Sequence, residues 1–225
     1  MADLTPAKYE NRLLQAILPV LTGDGFSLLF QVFKIVRRQL SREWHEGMYE
    51  ILEYNSVLEL KDHKGHVAVL ERRQKVRFLQ DNIIAFEDQA WGEGEIFNDY
   101  QCSPGFAVDH YQDGFKWKVL ISLRETMQRG DVTEFNLKRK IVGGFTKTSE
   151  WFQTELSHRT DFLRLSIVFP KDRSCKQALL MERNRNRTIE LGPPCFSRLA
   201  DGRQRLSWET HHPGVNELYT IKWRW

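Results

Sequence analysis

The chain has 225 residues, with 41% hydrophobic and 28% charged residues, and a mean hydropathy of −0.52 that excludes a chain built mainly of membrane spans. Its 14 Phe, 7 Trp and 6 Tyr provide ample apolar area for a core and exclude wholesale disorder. A formal net charge of +3 is a weak field, well below that of a dedicated nucleic-acid binder.

The first 45 residues have helical periodicity. Leu13, Leu14, Ile17, Leu18 and Leu21 fall on one side of a helix, with Pro19 kinking or restarting it. Thr22-Gly23-Asp24-Gly25 breaks the chain, and Thr22 or Asp24 caps a second helix from about Phe26 to Trp44. Leu29, Val32, Phe33, Val36 and Leu40 form its apolar stripe, while Arg37, Arg38 and Arg42 occupy the remaining face. Such a stripe must be buried against the other helix, the rest of the chain or a partner.

After Gly47 the period switches to two. Leu52, Tyr54, Leu58 and Leu60 alternate with Glu53, Asn55 and Glu59, and Asp62-His63-Lys64-Gly65 reads as a hairpin connection. The returning strand, His66 to about Leu79, presents Val67 and Val69 and then Val76 and Phe78, which predicts a bulge or a switch of exposure near Arg72-Arg73. Ile83 to Gly114 reads as short strands with long loops. Trp117 to Leu123 and Phe135 to Ile141 alternate cleanly around a Gly130-Asp131 turn. Further strands are predicted at 150–156, 162–169, 176–182, 187–191 and 203–209. The last strand carries Tyr219, Ile221, Trp223 and Trp225 on one face.

This pattern predicts a mostly β protein: an antiparallel β-sandwich, one or two, preceded by an N-terminal α-helical hairpin. The domains are expected at 1–45 and 46–225, with a possible subdivision near 115. The lack of helical crossovers argues against parallel strands.

The chemical motifs are sparse. The acidic segment from Phe86 to Asp99 offers Glu87, Asp88, Glu93 and Glu95 as ligands for a hard cation, although a solvated acidic loop accounts for the same residues. His63 and His66 flank a turn with zinc-like spacing, and His211-His212 precede another; both sets lack further ligands nearby in sequence. Asp109-His110 are strand neighbours that point to opposite faces. Ser157, His158 and Asp161 have the residue types of a hydrolytic triad without a GxSxG elbow. Gly143-Gly144 is not followed by a phosphate-loop lysine, and no cofactor is expected.

The basic residues cluster as Arg37, Arg38 and Arg42; as Arg72, Arg73, Lys75 and Arg77; and as Arg183, Arg185 and Arg187, whose alternation in an extended chain would form a comb able to grip phosphates or an acidic surface. A charged strand edge accounts for the last set equally well.

The sparse cysteines, Cys102, Cys175 and Cys195, read as free thiols, and Met1 to Pro6 lack a basic region followed by an apolar run, so a cytoplasmic protein without a transmembrane segment is expected. The function expected from these features is a non-enzymatic interaction module, an adaptor or regulatory subunit. It would bind another protein or a second copy of itself through Leu29, Phe33, Val36, Leu40 and Trp225. Nucleic-acid or anionic-surface binding through the arginine clusters is the alternative, with a metal-dependent hydrolase behind it.

Overall fold

The computed structural model describes residues 47–225, one of two units into which the chain divides at Glu46. The helical hairpin expected over 1–45 lies outside the described residues. The described part is almost wholly strand.

Alternation creates the first hairpin. β1 (Tyr49–Leu60) and β2 (Val67–Phe78) pair antiparallel, and a bulge between Ile51 and Glu53 moves the buried face of β1 from odd to even positions. Tyr49 and Ile51 therefore point the same way as Tyr54, Leu58 and Leu60, and Leu52 does not. Asp62 closes the turn by accepting hydrogen bonds from the backbone N–H of Lys64 (2.8 Å), His66 (3.2 Å) and Val67 (2.7 Å). Gly65 sits in the left-handed region (φ +71°), where a Cβ would lie 1.8 Å from the Phe145 carbonyl oxygen.

The expected switch of exposure in β2 does not occur. Ala68, Leu70, Arg72, Gln74, Val76 and Phe78 all lie on one face, and polar Arg72 and Gln74 are buried in the middle of it. Two inward polar residues broke the apolar pattern without breaking the strand.

The segment from Ile83 to Asp113 contains strands rather than long loops: β3 (Ile83–Ala90), β4 (Glu95–Ser103) and β5 (Phe106–Asp113). Their Asp, Glu and Asn residues, and the exposure of nearly all of β5, hid the alternation. β6 (Lys116–Met127), β7 (Val132–Val142), β8 (Ser149–Leu156), β9 (Phe162–Val168), β10 (Gln177–Glu182) and β11 (Arg187–Glu190) follow. After a 3-10 turn at Pro193–Cys195 come β12 (Phe196–Arg198), β13 (Gln204–His211) and β14 (Glu217–Arg224).

Three sheets result: a seven-stranded sheet of order β12-β13-β9-β1-β2-β7-β4, a four-stranded sheet β11-β10-β14-β8, and a three-stranded sheet β3-β6-β5. The large sheet draws strands from both sides of Phe115, which is the tip of the β5–β6 hairpin and not a boundary. Its pairs are antiparallel except β1–β9, which run parallel. This parallel pair was not expected from the sequence, because its connection consists of other strands and not a helix.

One hydrophobic core joins the sheets. Phe86 of β3 stacks on Phe135 of β7 at 4.1 Å, so the small sheet covers the inward face of the large one. Trp208 of β13 meets Tyr219 of β14 at 5.4 Å, and Phe145 and Phe169 pack on Trp223 at 5.9 and 6.0 Å. Each aromatic buried this way contributes about 2–3 kcal/mol of transfer free energy. Among the described residues, no helix is long and apolar enough to cross a membrane.

Candidate binding groove

Among the described residues, the opposite face of the seven-stranded sheet carries exposed side chains such as Glu71, Arg73, Asn136 and Lys138. Strand register places two rows of outward side chains across it. One row runs Ser207, Ser166, Val57, Glu71, Lys138 and Gln101; the next runs Glu209, Arg164, Asn55, Arg73, Asn136 and Ser103. Most of these residues, together with Arg205, line a groove of about 570 Å³.

The groove is anchored at one end by buried hydroxyls. Ser166 is fully buried, its Oγ lies 3.0 Å from the Ser207 Oγ, and it accepts a hydrogen bond from Arg205 Nη2 at 3.1 Å. Most cations of the groove already have carboxylate partners: Arg73 lies 3.7 Å from Glu53 and 3.8 Å from Glu134, Lys138 2.7 Å from Glu71, and Arg164 2.7 Å from Glu209. Arg205 has no carboxylate partner among the described residues. Its Nε–H is buried without an acceptor, and the Asn55 Oδ1 is buried without a donor.

The lining includes no histidine, and burial pushes the Cys102 thiol above its ordinary pKa, which keeps it protonated and a poor nucleophile.

Beneath the groove, a buried ionic cluster joins β1, β2, β3, β4 and β7. Arg72 donates to Asp88 and, at 3.2 Å, to the Tyr54 hydroxyl; Tyr100 donates to Asp88 at 3.0 Å, and Arg139 lies 3.9 Å away. The side chain of Asp88 is 1% exposed. Burial works against the charged form of Arg72, but the Asp88 carboxylate outweighs it and raises the pKa. Burial lowers that of Arg139, which Asp88 offsets only in part.

The sequence-derived candidates are dispersed. Glu87 faces Lys118 (3.1 Å) and Tyr111 (2.8 Å), on the opposite side of β3 from Asp88. Glu93 binds Lys147 at 2.5 Å, and Glu95 accepts from Asn98 at 3.1 Å. These four carboxylates do not converge, and among the described residues no group of three or more His, Cys, Asp or Glu side chains is placed to hold a metal ion.

The expected arginine comb is a hairpin instead. Residues 183–186 form the β10–β11 turn, with Asn186 at φ +47°; Arg187 grips Glu182 through two bonds of 2.8 and 2.7 Å, and Arg185 lies 3.8 Å from the same carboxylate. Trp225, expected at an interface, is 4% exposed: its indole N–H donates to the Lys147 carbonyl at 2.8 Å and Arg173 covers the ring at 3.7 Å. Leu29, Phe33, Val36, Leu40, Arg37, Arg38 and Arg42 lie outside the described residues.

Ser157 Oγ is 3.1 Å from His158 Nδ1, but Asp161 approaches Arg159 and His212 at 3.9 and 4.0 Å, and the His158 ring stacks on Tyr49 at 4.1 Å. No triad is assembled there. His63 lies 3.8 Å from Asp172, so it pairs outside its own hairpin.

No protein-family model and no curated protein matches the chain. Solved structures give only remote likeness. A proposed protease from Parabacteroides distasonis is 8% identical, with a TM-score of 0.47 over 80% of this chain and 41% of that one. An M1 zinc metallopeptidase from Deinococcus radiodurans is 11% identical, with a TM-score of 0.46 over 78% of this chain and 42% of that one. The chain thus spans about two fifths of the length of either. Likeness at this level assigns no activity.

Proposed function

We propose that this chain is a non-enzymatic protein–protein interaction module, an adaptor or regulatory subunit, that receives another protein on the groove face of its seven-stranded sheet. The observation that carries this reading is the groove. It is concave, rich in hydrogen-bonding and cationic side chains, and holds buried polar atoms of Arg205 and Asn55 that lack partners. The apolar stripe of Leu29, Phe33, Val36 and Leu40 belongs to the same proposal as a second contact, resting on the sequence pattern alone. Three unpaired cysteines support a reducing, cytoplasmic setting.

A photo-crosslinking residue placed at Gln101, in the groove, is expected to capture one protein in cells. The same residue at Lys222, on the four-stranded sheet, is expected not to. Arg73→Glu with Lys138→Glu should abolish the capture while the β-type circular dichroism persists. Equal capture from both positions, or capture indifferent to the charge reversal, would remove the reading. Nucleic-acid binding is the second reading, supported by the four cations Arg73, Lys138, Arg164 and Arg205 that line the same groove. It requires affinity that falls steeply with salt.

A further inference from the structure

We draw no further inference here: the strongest candidate, the cavity of about 40 Å³ between β8 and the β3–β4 turn that is lined by the nearly buried guanidinium of Arg139, carries nothing, because Glu93 and Glu150 line it too, Asp88 already stands 3.9 Å from that guanidinium, and its Nε–H is sealed from any ligand.

Discussion

Arg72 and Arg73 are neighbours in the chain and occupy opposite environments. Arg72 points inward, is 9% exposed and is locked to Asp88 beneath the three-stranded sheet; Arg73 points outward, is 52% exposed and pairs loosely at 3.7–3.8 Å. The period of two along a strand divides this sheet into a sealed face and a receptive one. The same side chain serves as a structural tie on one face and as part of a ligand surface on the other. Burial and the completeness of its partners decide which.

Asp88→Ala should break the sealed face most severely. It leaves the buried Arg72 and Arg139 without their carboxylate, a loss of about 3–5 kcal/mol, read as a lower urea midpoint with an unchanged slope. Next is Gly65→Ala, which forces a Cβ into the Phe145 carbonyl at a positive φ; a loss of about 1–3 kcal/mol is expected in the same titration.

Asp62→Ala is smaller, about 1 kcal/mol, since it frees three backbone N–H groups that water can reach. This residue also has a pH signature. Partial burial raises its pKa, but the hydrogen bonds from Val67, His66 and Lys64 outweigh it, so the folded pKa lies below the ordinary 3.8. A depressed carboxylate stabilises the fold above its unfolded pKa, and that stability is lost as pH falls through the folded value. The wild type should therefore lose slightly more stability than Asp62→Ala between about pH 5 and pH 2.

Least affected should be Arg73→Ala on the groove face, within about 0.5 kcal/mol in stability. Its effect should appear in partner capture instead. If Arg73→Ala destabilised the protein as much as Asp88→Ala, the two faces would not differ in the way described.

Much of the architecture was legible because apolar alternation is a local signal. The hairpin at Asp62–Gly65 and the strands near 150–156, 162–169 and 176–182 can be read directly from it. Inward polar residues hid the rest: Arg72 and Gln74 made a continuous strand look interrupted, and Asp88 looked like part of an acidic loop when it is a buried counter-ion. The groove was not legible. Asn55, Arg73, Asn136, Arg164, Ser166 and Arg205 come from segments far apart in the chain, each contributing one or two outward positions. The available signal was weak: Arg, Ser and Asn at the solvent positions of several strands. Only the pairing order shows that these positions adjoin. The arginines at 183, 185 and 187 failed as a comb for a related reason, since a comb requires an extended chain and the sequence there turns back on itself.

The parallel pairing of β1 with β9 also governs how this protein can be made. During synthesis β1 and β2 emerge early and can zip together at once, yet one rim of β1 must wait for residues 162–168 before it finds its neighbour. Until then the nascent chain carries an open, Tyr- and Leu-rich ribbon margin, the kind of surface on which unfinished chains stick to one another. Such long-range closure makes slow maturation the expected behaviour, and it makes any product cut short before Phe162 a candidate for chaperone capture and not for function.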